Sequence, residues 1–566
     1  MNSKHNTRNT NSGKAISLAL VCVLLCTGLF LSAGCKSSSE PAPSASDFKL
    51  EEIDINGIKN QNKYTDVPTD ATVTLTFSEK VAVGSIAGNI ILKKSGETIP
   101  INLAHNDNPA LKITFNGLVS YADYELVINT GLKSEAGAAI FTGKVFNITT
   151  GIDMSDKFPR IPDDELLDLA QRQTFRYFWD FGHPVSGMAP ERTATANTVT
   201  TGGTGFGIMA MLAAAQRNFV SRIEALNRVQ KIVTFLDTKC TKYHGVFSHW
   251  INGETGATIP FSANDNGGDL VETAFLMQGL LTAQRYFNGA DAAETKLRND
   301  ITRLWEDVEW TWYSKGGENV LYWHWSPDKG WVMNHRIGGW NECLIVYVLA
   351  ASSPTHPIAK AVYDEGWARS GAFANGKSYY GYTLPLGSDY GGPLFFTHYS
   401  FLGLNPHDLS DAYADYWEQN RNHSLINYNY CIENPRKYGG YSADCWGLTA
   451  SDGNNGYSAH SPTNDKGVIA PTAALSAMPY TPEESMRALR FFYYKLGDKL
   501  WGEYGFKDAF NLSEQWFASS YLAIDQAPII VMIENHRSGL LWNLFMSHTD
   551  VQNGLKKLEF TSPHIQ

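Results

Sequence analysis

Three carboxylates crowd the stretch Asn264-Asp-Asn-Gly-Gly-Asp-Leu-Val-Glu272, just before or inside an apolar helix predicted over 269–287. They are Asp265, Asp269 and Glu272. Acids gathered where a chain enters a buried helix can do proton-transfer chemistry. The same spacing also describes a helix cap. Gly267 and Gly268 break the preceding structure, Asp269 can accept from the first turn, and Glu272 stands three residues on, as in a capping box. Capping leaves Asp265 unexplained, because it precedes the cap. A further acid, Glu342, follows Gly338-Gly-Trp-Asn341 at the start of a helix predicted over 341–351, where the helix dipole also favours a carboxylate. Asp508 and Asp525 lie in the aromatic segments Gly505-Phe-Lys-Asp-Ala-Phe-Asn511 and Tyr521-Leu-Ala-Ile-Asp-Gln526, and Asp525 can likewise cap a helix. Cleavage of a glycosidic bond needs two separated carboxyl groups, one protonated and one ionised. Acids at several helix starts can supply that pair.

The loops around these acids are rich in rings. Trp323, His324, Trp325, Trp331, His335 and Trp340 lead up to Glu342, and His249 and Trp250 precede the first trio. Trp faces stack on the C–H faces of pyranose rings while imidazoles and amides bind hydroxyls, so the chemistry suits a neutral glycan. Composition agrees: aromatics make up 12% of the residues, charged residues 18%, and the net charge is −11. That charge disfavours nucleic acid and polyanionic substrates. Gly202-Gly-Thr-Gly-Phe-Gly207 is only superficially a dinucleotide loop, lacking a βαβ context and a downstream acid. No HExxH, Walker loop or GxSxG elbow occurs, and Asp452-Gly-Asn-Asn-Gly456, which could hold Ca²⁺, reads as a turn.

These loops need a scaffold, and 566 residues predict two or three domains. Lys4, Arg8 and Lys14 precede an uncharged apolar run that ends at Leu31-Ser-Ala-Gly-Cys35. This is an export signal, 1–35, and its end resembles a bacterial lipobox with Ser32 in place of the usual Leu. Lipidation of Cys35 would anchor the exported protein to a membrane, the outer membrane being expected, without spanning it. The Ser-, Ala- and Pro-rich segment 36–48 then reads as a flexible tether. Cys240, Cys343, Cys431 and Cys445 are scattered without metal-ligand spacing and read as buried thiols, although an exported chain could pair Cys431 with Cys445.

Residues 49–150 have strand character. Ala71-Thr-Val-Thr-Leu-Thr-Phe77 alternates, putting Val73, Leu75 and Phe77 on one face, and 89–92, 111–115, 124–128 and 144–149 repeat the theme. Short strands at this spacing predict an antiparallel immunoglobulin-like sandwich, a spacer or docking module. Thr76-Phe-Ser-Glu-Lys-Val81 resembles bacterial Ig-like modules. From about Pro159 onward the periodicity is helical: 163–179, 205–217, 221–238, 269–287, 292–313, 341–351, 357–370, 408–420, 482–496 and 526–545. Many helices, few strands and long aromatic loops predict a helical toroid, whose helix ends and loops build a cleft on one face.

Thr204-Gly-Phe-Gly207, Asn264–Glu272, Gly338–Glu342, Gly505–Phe510 and Ile524-Asp-Gln526 occur in that order. Together they resemble the glucoamylase-like domain of glycoside hydrolase family 144, the β-1,2-glucanases, over roughly 160–560. The resemblance implies an (α/α)6 toroid over 155–566 that hydrolyses β-1,2-glucan or sophoro-oligosaccharides with inversion and without a metal or other cofactor. It implies that Asp265, Asp269, Glu272 and Glu342 line the cleft. Glu342 is the expected general acid and Asp525 the base side. Asp265 would be catalytic through a relay or hydroxyl contact. Asp269, Glu272, His249, Trp250, Trp323, Trp325, Trp331, His335 and Trp340 would bind substrate. Inversion leaves room for water, hence carboxyl groups about 6.5–9.5 Å apart unless a relay intervenes. A polysaccharide lyase, a transglycosylase, an α-glucan hydrolase and a glycan-binding lipoprotein without catalysis stay open as alternatives. The Ig-like module lies outside the catalytic pattern.

Overall fold

The computed structural model describes residues 47–105, 108–115 and 117–565, and the signal, Cys35 and the tether up to residue 46 lie outside them. The first unit is a sandwich of ten strands: β1 (Leu50–Ile55), β2 (Ile58–Lys59), β3 (Lys63–Val67), β4 (Thr72–Phe77), β5 (Ile90–Lys94), β6 (Glu97–Ile99), β7 (Ile101–His105), β8 (Ala110–Phe115), β9 (Asp123–Ile128) and β10 (Lys144–Thr150). One sheet runs β2-β1-β4-β8-β7 and the other β3-β10-β9-β5-β6, antiparallel except for β3 beside β10. Alternation sets the register. Val73, Leu75 and Phe77 bury completely against Tyr124, Leu126 and Ile128 of the facing sheet, within one apolar core. Phe48 already belongs to this core, stacked on Phe77, so the last residue assigned to the tether is structural.

The second unit is helical: α1 (Asp163–Trp179), α2 (Thr201–Gln216), α3 (Arg222–Thr238), α4 (Leu270–Tyr286), α5 (Ala292–Glu306), α6 (Leu344–Ser352), α7 (Lys360–Val362), α8 (Tyr416–Glu433), α9 (Pro471–Ser476), α10 (Pro482–Arg490), α11 (Gly497–Leu500), α12 (Ala523–Ser538), α13 (Leu540–Met546) and α14 (Thr549–Lys557). α2 packs on α4 and α12, α4 on α6, and α12 on α9, while α1, α3, α5, α10 and α14 lie against this inner set. Because α2 has neighbours all round, it is apolar all round rather than amphipathic. The glycines of 202–207 serve this packing. A methyl group on Gly205 would lie 2.2 Å from the Phe275 carbonyl, and one on Gly279 would lie 2.1 Å from that of Gly205. Only glycine lets the two backbones approach so closely.

Several predicted helices stop early or move. The 292–313 pattern ends at Glu306, and 526–545 divides into α12 and α13 at Gly539, which is left-handed at φ 68°. The 357–370 and 482–496 patterns each pass into a π turn, at Tyr363–Trp367 and Phe491–Lys495. The helix predicted over 408–420 instead begins at Tyr416, capped by Asp415, and continues to Glu433. Its sequence hides it, since Asn420, His423 and Asn427 occupy buried positions. Neighbours supply part of their hydrogen bonding: Asn427 exchanges two bonds with Leu448, His423 Nε2 meets the Gly392 carbonyl and Asn420 Nδ2 donates to Tyr480 OH, while Asn420 Oδ1 and His423 Nδ1 have no partner among the described residues. The sandwich rests on the hairpin 510–517. Tyr121 donates to the Leu512 carbonyl at 3.2 Å and meets Phe517 edge-on.

Candidate active site

The N-terminal ends of α2, α4 and α12 and the turn before α6 converge on one face, and each brings an acid or binds one. Asp269 is the N-cap of α4: its Oδ1 accepts from Val271 N at 3.0 Å and Glu272 N at 2.9 Å. Its other oxygen lies 3.0 Å from His249 Nδ1 and accepts from Trp323 Nε1 at 3.1 Å. One carboxylate therefore serves both the cap and the site. Glu272 does not close the expected capping box. It reaches across to the start of α2, accepting from Gly202 N at 2.6 Å and Thr200 Oγ1 at 3.1 Å. A side chain on Gly202 would lie 2.8 Å from that carboxylate, so glycine is needed there too.

His249 sits between two of the acids, its Nε2 3.9 Å from Glu272 Oε1. Burial alone would lower its proton affinity, but Glu272 and then Asp269 outweigh it and lift the imidazole to about 9. At neutral pH it is a cation held by carboxylates. Burial raises Glu272, with His249 opposing. Asp265 lies in a turn closed by Ser262, and burial followed by the nearby charge of Asp269 pushes it up to about 6. His324 Nε2 is 3.4 Å from Asp265 Oδ1, yet that nitrogen already accepts from Gly267 N at 3.1 Å. With its lone pair so engaged and burial lowering its affinity, His324 is neutral and forms no ion pair with Asp265.

Glu342 precedes α6 rather than lying in its first turn, so the helix dipole does not account for it. Gly338 and Gly339 make the turn: a methyl group on the first would lie 2.4 Å from the Gly366 carbonyl, and the second has φ 86°. The backbone is fixed by Ser400 Oγ, which donates to the Glu342 carbonyl at 2.5 Å. Burial, with Asp269 and Glu272 nearby, pushes the Glu342 carboxyl up to about 7. A carboxyl group with that affinity is half protonated at neutrality and can donate.

On the α12 side, Asp525 is also not a cap; Leu522 holds that position. Its Oδ1 lies 3.5 Å from Tyr399 OH, and its carboxyl is within hydrogen-bonding reach of that of Asp508 when one of the two holds a proton. Asp508 Oδ2 accepts from Asp452 N at 2.7 Å. Asp452 is itself clamped by Arg192 at 3.0 Å and Ser520 Oγ at 2.6 Å. Burial raises Asp508 to about 7, and burial together with Asp508 raises Asp525 well above the usual carboxylate range. Tyr399 links the two sides, since the charges of both Asp525 and Glu342 act on its phenol.

The aromatic candidates separate. Trp323 touches Asp269, and His335 stacks on its ring at 5.0 Å. Trp250 packs edge-on against His249 and beside Phe261, which is half exposed. Trp325 turns toward His244 and Trp312, and Trp331 toward Tyr313 and Tyr322, in a neighbouring aromatic cluster. Trp340 corrects the expectation: it is buried against Tyr416 and Phe401, beneath Gly387, and forms core rather than a sugar platform. Cys431 and Cys445 are both free thiols. Tyr399 and the Arg192–Asp452 clamp escaped the sequence reading. Tyr399 lies among short 3-10 turns with no periodicity, and only the fold brings it to Asp525.

Comparison with known proteins accords with this geometry. A family described as "Putative glucoamylase" matches residues 334–549, and the "Bacterial Ig-like domain" family matches 50–150. An exo β-1,2-glucooligosaccharide sophorohydrolase (non-reducing end) of Parabacteroides distasonis is 49% identical over 419 residues, 70% of this chain; the chain spans 58% of that relative's length. The solved endo-β-1,2-glucanase of Chitinophaga pinensis, in complex with sophorotriose and glucose, is 53% identical, with TM-score 0.70 over 72% of this chain and all of that one. A β-1,2-glucanase structure from Parabacteroides distasonis is 40% identical, with TM-score 0.69 over 91% of this chain and 74% of that one. At such identity over all of one relative and 74% of another, with the acids framed as above, the protein belongs to glycoside hydrolase family 144 and carries an N-terminal bacterial Ig-like domain.

Proposed function

We propose that the protein hydrolyses β-1,2-glucan or sophoro-oligosaccharides with inversion, in the cleft of an (α/α)6 toroid formed by residues 155–566. The observation that carries this reading is that consecutive residues join the two acids: Ser400 Oγ donates to the Glu342 carbonyl and Tyr399 OH to Asp525 Oδ1, with the Glu342 carboxyl raised to about 7 by burial. Glu342 gives its proton to the glycosidic oxygen as the bond from that oxygen to the anomeric carbon breaks. Water attacks the opposite face of the sugar and passes its proton to the Asp525 side. Asp265, Asp269 and the His249 cation hold hydroxyl groups, and Trp323 and Trp250 offer ring faces. The names of the relatives supply the linkage: one acts on β-1,2-glucooligosaccharides, and another was solved with sophorotriose.

Incubation with linear β-1,2-glucan and, separately, with starch tests the reading. Products are resolved by chain length and the first-formed anomer is read by NMR. Cleavage of the β-1,2-glucan with initial α-anomer is expected, long intermediates marking endo action and disaccharide alone marking exo action. Cleavage of starch only, a first-formed β-anomer, or an unsaturated product absorbing in the ultraviolet overturns it. We also read Cys35 as the lipidated residue of an outer-membrane protein, periplasmic or at the cell surface, with the Ig-like module as spacer. Incorporation of labelled palmitate should vanish in Cys35→Ser.

A further inference from the structure

The two acids on the α12 side leave a particular pair of atoms unanswered. Asp508 and Asp525 are each only 2% exposed, and Asp508 Oδ1 and Asp525 Oδ2 have no donor. The other oxygens are spoken for, Asp508 Oδ2 by Asp452 N and Asp525 Oδ1 by Tyr399 OH. The two carboxyl groups are within hydrogen-bonding reach of each other. Two ionised carboxylates in contact and out of water repel strongly, whereas one shared proton turns the repulsion into a hydrogen bond and satisfies both orphaned oxygens.

We propose that Asp508 and Asp525 form a one-proton dyad, in which Asp508 is the positioning residue that takes over the shared proton when Asp525 accepts one from the attacking water. This rests on the hydrolytic reading above and deepens it. Before attack, the proton sits on Asp525 Oδ2 and is donated to Asp508 Oδ1, and the pair carries one negative charge. As water bonds to the anomeric carbon, one of its protons passes to Asp525 Oδ1 and the shared proton shifts to Asp508 Oδ1. The pair ends neutral, and Glu342, having given its proton to the leaving oxygen, ends ionised. One proton enters the dyad and one leaves Glu342, so solvent exchange between the two resets the site. Alone, Asp525 with a proton on it would be no base. Asp508 makes it one.

The surroundings tune this pair without replacing it. Asp452 disfavours further negative charge, Arg192 offsets Asp452 while also paired with Glu191, and Tyr399, Tyr457 and Tyr177, the last donating to the Pro190 carbonyl, lie within electrostatic reach of the acids. All these groups enter any pH profile. A macroscopic value therefore belongs to the dyad, not to one residue.

Asp508→Asn tests the proposal, because its amide can still donate to Asp525 but cannot take up a proton. Asp525 is then ionised and remains a base, but one of lower proton affinity than the dyad, so we expect kcat to fall by about 10-fold or more, with KM within about threefold. The acidic limb of the kcat profile should move to lower pH, and Asp508→Glu should recover part of the rate. Infrared spectroscopy of the protein without substrate gives an activity-independent readout. A protonated-carboxyl band at neutral pH should remain after Glu342→Gln and disappear in both Asp508→Asn and Asp525→Asn. Retained kcat in Asp508→Asn, or a band untouched by both Asp substitutions, overturns the dyad. Failure to cleave β-1,2-glucan with the infrared pattern intact instead refutes the substrate reading and leaves the dyad standing.

Discussion

Replacing Glu342 with Gln should abolish turnover and at the same time stabilise the folded protein above neutral pH. The carboxyl's proton affinity rises from its ordinary 4.5 to about 7 on folding, chiefly through burial. The folded state thus holds the proton more tightly than the unfolded chain, and this contribution to stability is present in full only below pH 4.5. It is lost as pH rises toward 7, where the native protein must carry an ill-solvated carboxylate. The displacement corresponds to about 3 kcal/mol at pH 8, reduced to about 2 because the side chain is partly open to the cleft and screened there. At pH 5 the penalty is below about 1 kcal/mol by the same linkage. Gln is isosteric and never ionises, so it removes the penalty. Urea unfolding of both proteins at pH 5 and pH 8 reads the difference directly. The variant should be nearly equal in stability at pH 5 and more stable at pH 8. An equal or lower stability at pH 8 would refute the buried-donor reasoning, whatever the loss of activity.

The remaining expectations concern the cleft and its frame. The rate should fall as pH rises through about 7, because the donor must be protonated, and an alkaline limb far above neutrality would exclude Glu342 from that role. Asp265→Asn should damage kcat far more than thermal stability, since Asp265 caps nothing; parallel losses in a rate assay and a melting curve would make it structural. Gly205→Ala forces a methyl against the Phe275 carbonyl and should cost at least about 1–3 kcal/mol in urea unfolding, with no specific effect on KM in the surviving fraction. Arg217→Met takes the only paired cation among the described residues from Glu534, whose side chain is 1% exposed and which Arg217 holds at 2.7 Å, leaving it the neutral donors Gln171 and Ser538. A loss of about 3–5 kcal/mol is expected, largely recovered by adding Glu534→Leu.

Periodicity made the two units legible. Alternation over Thr72–Phe77 placed Val73, Leu75 and Phe77 in the sandwich core, and the 3.6-residue pattern found α1 at its observed bounds. α8 was placed too early because its inward positions carry Asn, His and Ser, which read as solvent-facing until distant residues such as Leu448 and Gly392 offer them hydrogen bonds. Trp340 misled in the opposite sense. A Trp beside an acid looks like a sugar platform, but ring placement depends on neighbours such as Tyr416 and Phe401, which no local window contains.

By itself, the sequence determined which acids gather at helix starts, because N-terminal helix ends attract carboxylates through short-range geometry. Asp269, Glu272, Glu342 and Asp525 were visible in that way, Asp265 just ahead of such a start, and Asp508 only through the aromatic segment around it. Only the tertiary structure decided what each one does. Asp269 both caps α4 and holds His249, Glu272 binds the start of α2 rather than its own helix, and Asp525 faces Asp508 instead of a backbone N–H. Proton affinity is set by burial and by charges a few ångströms away, and those neighbours come from segments tens to hundreds of residues apart.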